Sequence, residues 1–213
     1  MIILTAGHTG AGTGAQCTET HFDEGAENIW LRNRIAEILT NKYGLVVLVD
    51  EDKASLKLLV KELRRDTACR VLSVNRPTNN QSNKRANARQ DTARRVPTSD
   101  DFVIDLHFKA HSNPPARGAE TIVSDDATTL ELRFASRLAH TTAEALNIPL
   151  RSIKSESQTP HRRLAMLHLT PQSIILEICF CTSPEDVDAY RKHREQLANA
   201  LAHHITELLQ THL

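Results

Sequence analysis

Ser173-Ile174-Ile175-Leu176-Glu177-Ile178-Cys179-Phe180 is a short run that is apolar at nearly every position. A run of this length that offers apolar side chains to both faces is the mark of a strand buried on both sides, as in a sheet covered by helices. Working outward, runs of the same kind occur at residues 2–6, 46–49, 71–74, 102–106 and 119–123, with residues 174–178 as the last. Longer amphipathic stretches separate them. Residues 24–43 carry Ile29, Ile35, Ile38 and Leu39 on one stripe, with Gly44 in the stop position. A second helical pattern carries Leu56, Leu59, Val60 and Leu63, and a third runs over residues 129–146, ahead of Pro149. Ser183-Pro184-Glu185-Asp186 supplies a cap, a proline at the first helical position and acids in the first turn of a final helical stretch. That stretch is expected to reach the C-terminus with a break near residues 191–194. The expectation is α/β: one domain over residues 1–213, built on a mostly parallel, twisted sheet of about six strands with helices on both faces.

Composition narrows the function. The 213 residues hold 26 Lys and Arg against 26 Asp and Glu, which gives a net charge of zero and argues against a nucleic-acid or membrane-surface partner. No apolar run approaches the ~20 residues of a membrane span, so no membrane insertion is expected. The opening residues enter a strand pattern directly, without the basic and apolar regions of an export signal, which predicts synthesis in the cytoplasm. On that basis Cys17, Cys69, Cys179 and Cys181 are expected to be reduced thiols. Residues 76–101 form a polar excursion without apolar period, and residues 61–95 hold ten Lys or Arg against three acids. A solvated surface accounts for that charge; contact with anionic wall polymers is the sharper alternative.

Gly7-His8-Thr9-Gly10-Ala11-Gly12-Thr13-Gly14 follows the first strand but lacks the Gly-Lys-Ser/Thr ending of a phosphate loop. What remains is a histidine at the carboxyl end of a strand, the edge of an α/β sheet where ligands bind. Glu24 opens the first helix a short way on, and His107 closes Asp101-Phe102-Val103-Ile104-Asp105-Leu106-His107. The pair His107 and His111 lacks the Glu of a His-Glu-x-x-His helix and lies on a strand, so that motif fails. Glu177 interrupts an otherwise buried strand, where a carboxylate is costly unless paired or metal-linked. Taken singly, each of these residues has an ordinary structural explanation. Together, two His and one Glu form a known catalytic zinc set with an open fourth position, and a separate carboxylate can move the proton of an attacking water. The candidate ligands are therefore His8, Glu24 and His107, with Zn2+ as the cofactor and Glu177 as the catalytic residue.

The same segments resemble the zinc-dependent N-acetylmuramoyl-L-alanine amidases of the Amidase_3 type, which include autolysins and phage endolysins. Ile2 to Gly10 resembles that family's strand followed by Gly-His-Gly, and Glu24-Gly25-Ala26-Glu27-Asn28-Ile29 its Glu-x-x-x-Asn-Leu. Asp105-Leu106-His107-Phe108-Lys109-Ala110 stands where the family has Ser-Ile-His-x-Asn-Ala, followed by Arg117-Gly118-Ala119-Glu120 for Arg-Gly-x-Glu. Pro171 to Phe180 is similar to its Pro-x-x-Leu-x-Glu-x-Gly-Phe strand, with Cys179 in place of Gly. The resemblance implies hydrolysis of the amide between N-acetylmuramic acid and L-alanine in peptidoglycan by a phage- or prophage-type lysin. Such a lysin acts on the wall after a holin-type release. Substrate contacts are implied at Lys109, Arg117 and Asn87. The competing readings are a zinc carboxypeptidase-like peptidase and a non-catalytic zinc or cell-wall-binding module.

Overall fold

The computed structural model describes residues 1–8, 14–50, 69–72, 97–112 and 116–211. Its elements in chain order begin with β1 (Ile2–Ala6), β2 (Gln16–Cys17), β3 (Phe22–Asp23), α1 (Glu24–Tyr43), β4 (Val47–Asp50) and β5 (Cys69–Leu72). They continue with β6 (Phe102–Lys109), β7 (Ala119–Val123), α2 (Thr129–Leu146), β8 (Leu150–Ser155), β9 (Gln172–Phe180) and α3 (Pro184–Gln210). Seven strands form one sheet in the order β5-β4-β1-β6-β9-β7-β8, and β2 and β3 make a separate two-stranded ribbon. Strands β4, β1, β6 and β9 run parallel to their neighbours, whereas β5 pairs antiparallel with β4, and β7 antiparallel with β9. The mostly parallel α/β sheet expected from the apolar runs is present.

The helix ends follow local chemistry. Asp23 caps α1 by accepting from the Ala26 N–H, which fixes Glu24 as the first helical residue. Gly44 ends α1 in the left-handed region at φ 68°, a conformation in which its N–H reaches the carbonyls of Leu39 and Thr40. A Thr128/Glu131 capping box starts α2, and Ser183 caps α3 ahead of Pro184.

Alternation along the strands divides the sheet residues between two faces. Ile2 and Leu4 of β1, Ile104, Leu106 and Phe108 of β6, and Ile174, Leu176 and Ile178 of β9 pack into one buried cluster. That cluster also holds Leu31, Ile35 and Leu39 of α1, Phe134 and Leu138 of α2, and Leu197 and Leu201 of α3. All three described α-helices therefore cover the same face, where the sequence reading expected helices on both; among the described residues the other face carries polar side chains and a small apolar cluster around Leu164 and Leu167. The intervening residues, among them Asp105, His107, Glu120 and Glu177, point to the other face, where Ile122 and Ile175 pack with Leu164 and Leu167.

The sheet has seven strands where about six were expected, the β2–β3 ribbon is additional, and further details differ from the sequence reading. Helix α3 is unbroken through residues 191–194: Arg191 donates to the carbonyls of Thr20 and His21, and Arg194 pairs with Glu27 and lies 4.2 Å over the Trp30 ring. That polar run thus docks on neighbouring elements. Strand β8 was not expected, because as an edge strand it is half solvated and carries Arg151 and Lys154. The cysteine expectation is also corrected. Cys17 and Cys181, 164 residues apart, form a disulfide with Cα atoms 6.0 Å apart, while Cys179 is a buried free thiol. Only the fold brings the β2–β3 ribbon against the end of β9, and no sequence spacing reports it. The helix expected around Leu56–Leu63 and most of the polar excursion lie outside the described residues.

Candidate metal centre and active site

The carboxyl ends of β1, β6 and β9 lie side by side, with Ala6 opposite Leu106, Leu106 opposite Leu176, and His107 opposite Glu177. His8 leaves the end of β1, and Glu24 enters from the first turn of α1. The sheet thereby collects at one edge the residues singled out from the sequence. Candidate ligand atoms of His8, Glu24 and His107 all lie within 4.8 Å of one another. Nδ1 of His107 is 3.4 Å from Oε1 of Glu24. Two ligands on a tetrahedral ion at ~2.0–2.1 Å sit about 3.3 Å apart, so the spacing fits zinc.

Two of these candidate ligands, Glu24 and His107, are held by neighbours. The Glu24 carboxylate accepts from the Phe108 N–H at 3.0 Å, from the Ala15 N–H, and from Asn28 Nδ2 at 3.5 Å. His107 turns Nε2 to Asp105 Oδ2 at 2.9 Å, and Asp105 Oδ1 accepts from the Thr5 hydroxyl at 2.7 Å. That arrangement orients the ring so that Nδ1 faces the ligand cluster. Glycine makes the space: a Cβ on Gly7 would stand 2.0 Å from the His107 ring. Gly14, at φ 85°, approaches both Glu24 and His8 so closely that a Cβ would lie 2.6 Å from Glu24 Oε2. The cradle thus requires backbone without side chains at two points.

Charge in the site is strongly coupled. Burial lowers the His8 pKa, with Glu24 opposing, which favours the neutral imidazole that a metal would require. For His107 burial acts downward too, but Asp105, Glu24 and Glu177 outweigh it and hold its pKa well above the usual value. A metal bound there would compete with a proton. For Glu24, burial is outweighed by His107, the Ala15 N–H and His8, so its carboxyl is more acidic than usual. Burial raises the pKa of Glu177, opposed by His107 and Lys109 and assisted by Glu24 and Glu120. Its Oε2 is buried with no hydrogen-bond partner among the described residues. A buried carboxylate oxygen without a partner is costly to keep, which marks Glu177 as a candidate functional group beside the His8, Glu24 and His107 cluster.

The other candidates are placed differently. Lys109, two residues beyond His107, forms an ion pair with buried Glu120, which sits directly across from Glu177 on β7. Arg117 instead ties to Asp186 at 2.9 Å, and Asp186 also accepts from the Gly118 N–H. Its guanidinium thus anchors the start of β7 to the first turn of α3. Asn87 lies outside the described residues. His111 is not drawn into the ligand set. The sequence reading quoted Glu120 only as the Glu of an Arg-Gly-x-Glu match and gave it no place in the site, and it missed Arg151 and Lys154 altogether. A lone Glu inside the apolar run Ala119-Glu120-Thr121-Ile122-Val123 was the available signal, of the same kind that marked Glu177.

A sequence model of the family described as N-acetylmuramoyl-L-alanine amidase (Amidase_3) matches residues 2–207. A comparison with curated protein sequences returned no match. Among solved structures, the N-acetylmuramoyl-L-alanine amidase of Clostridium difficile 630 superposes with a TM-score of 0.70 at 18% identity, covering 98% of this chain and 96% of that one. The amidase AmiC2 of Nostoc punctiforme gives a TM-score of 0.66 at 17% identity, with coverages of 98% and 96%. The catalytic domain of the CD27L endolysin targeting Clostridia difficile gives 0.61 at 20% identity, with coverages of 94% and 93%. These likenesses establish the fold, and the family match spans almost the whole length: the chain belongs to the N-acetylmuramoyl-L-alanine amidase family.

Proposed function

We propose that residues 1–213 form one catalytic domain that hydrolyses the amide between N-acetylmuramic acid and L-alanine in peptidoglycan, with zinc held by His8, Glu24 and His107. The observation that carries this reading is the unpartnered Oε2 of Glu177 on the strand paired with the His107 strand, in register with that ligand. Zinc would supply Lewis acidity, polarising the scissile carbonyl and lowering the pKa of a coordinated water toward ~7. Glu177 accepts the proton of the attacking water on Oε2 and passes it to the alanine nitrogen as the C–N bond breaks. Its raised proton affinity suits both halves of that task. Asp105 fixes the His107 ring, and Asn28 and the Phe108 N–H fix the Glu24 carboxylate.

The test pairs two variants. Glu177→Ala is expected to keep its zinc and lose lytic activity in a peptidoglycan zymogram, while His8→Ala loses the metal. Normal lysis by Glu177→Ala would overturn the assignment.

A phage- or prophage-type lysin is the biological setting we favour. Its support is the similarity to an endolysin catalytic domain and a disulfide suited to work outside a reducing cytosol. Among the described residues, no helix is long and apolar enough to cross a membrane. Expression in a bacterial host is expected to lyse cells only when the membrane is breached separately; lysis without a breach would remove this setting.

A further inference from the structure

The side of Glu177 away from the metal ligands carries an unusual concentration of positive charge. Glu120 is fully buried and pairs across the sheet with Glu177, which itself pairs with His107. Three cations converge on its carboxylate: Lys109 from β6, Arg151 through Nε at 2.9 Å, and Lys154 at 3.1 Å, both from β8. One cation is enough to compensate one buried carboxylate, so even with the neighbouring Glu177 carboxylate counted a positive charge is in excess. Glu120 is the only acid in ion-pair range of these three among the described residues.

The three side chains are each partly exposed, at 25%, 36% and 28%, whereas the Glu120 carboxylate that they share is fully buried, so the cluster lies at the protein surface. Buried Phe180 provides a floor, with the Arg151 guanidinium 5.1 Å and the Lys109 ammonium 5.7 Å from its ring centre. Arg151 is further fixed by donating Nη1 to the Arg117 carbonyl at 3.1 Å. Glu120 joins the three cations but cannot neutralise all of them, so a second anion would relieve their remaining repulsion, and a preset guanidinium beside two ammonium groups matches a carboxylate.

We propose that Lys109, Arg151 and Lys154, mounted on Glu120, form a carboxylate-binding subsite for the stem peptide of the substrate. Position supports the assignment. Adjacent strands lie ~4.8 Å apart, so β7 is about 10 Å from β6, while an extended peptide advances ~3.4 Å per residue. A stem peptide leaving the metal centre across Glu177 therefore brings a carboxylate two or three residues beyond the scissile amide over the cluster. The inference rests on the amidase reading above and adds a preference for stem peptides with free carboxylates over amidated ones.

The test uses two substrates: a muramoyl tripeptide with free carboxylates at its second and third residues, and the same compound with both capped as amides. The wild-type protein is expected to favour the free form by about tenfold in kcat/KM, since a hydrogen bond to a charged group contributes about that factor. In Arg151→Gln and Lys154→Gln the preference shrinks toward unity, carried by KM, and Lys154→Arg restores it. A merely structural role would lower both substrates alike and leave the ratio unchanged, which would overturn the proposal, as would a wild-type protein without preference. If neither substrate is turned over by any protein, the amidase reading has failed. Calorimetric binding of the two tripeptides to Glu177→Ala then decides the subsite alone: tighter binding of the free-carboxylate form supports it and equal binding refutes it.

Discussion

Asp105 Oδ2 holds Nε2 of His107 at 2.9 Å, and the other nitrogen of that ring faces Glu24 Oε1 at 3.4 Å. A carboxylate behind a ligating imidazole fixes ring orientation and raises ligand basicity, and its loss costs about 10–100-fold in metal affinity. Asp105→Asn is thus expected to weaken zinc binding by that factor in a competition titration with a chelator, with the fold retained. Unchanged affinity would mean that the ring is held by packing alone.

Gly7 stands where the His107 ring leaves no room, since a Cβ there would lie 2.0 Å from ring atoms. Gly7→Ala must displace either the ring or the β1 end, at a cost of roughly 1–3 kcal/mol for overpacking. Thermal unfolding and metal titration together should show lower stability and weaker zinc binding. Wild-type values in both would refute this tight approach.

The Cys17–Cys181 bond ties the β2–β3 ribbon, just after the Ala15 N–H that supports Glu24, to the end of the Glu177 strand. A cross-link closing so long a loop stabilises mainly by restricting the unfolded chain, typically by about 2–5 kcal/mol. Cys17→Ser or mild reduction is expected to lower the Tm, and to lower activity more steeply as temperature rises. An unchanged Tm on reduction would show that packing holds the ribbon without the bond.

Glu131 is buried at the start of α2, and burial raises its pKa from the usual 4.5 to about 7, with Glu156 adding to the effect against two backbone hydrogen bonds. The folded state then holds a proton that the unfolded state has lost between those values. Stability falls as pH rises from about 4.5 through about 7, by roughly 1–3 kcal/mol. Glu131→Gln removes that slope, so denaturant titrations at pH 5 and pH 8 should show the variant gaining on the wild type at the higher pH. Equal differences at both would contradict the assignment.

Much of this molecule is legible in its sequence because the informative residues break a local pattern. Glu177 and His107 stand out against apolar strands, and Gly44 and Ser183 mark helix ends by chemistry that needs no tertiary context. What stayed hidden depends on contacts between distant segments. The Cys17–Cys181 pair requires the ribbon to dock on β9, and the Arg191–Arg194 run resembles a helix break until its partners on α1 and the ribbon are seen. Arg117 looks like a substrate residue by motif, yet the fold gives it Asp186. Arg151 and Lys154 look like ordinary surface charge until β8 brings them to Glu120.

The most direct test of the central claim is mass spectrometry of purified peptidoglycan digested by the zinc-loaded protein. The account predicts glycan ends with an intact lactyl carboxyl and stem peptides with a newly freed alanine amine, both absent after chelation. New ends within the stem peptide, or the same products in the presence of chelator, would contradict it.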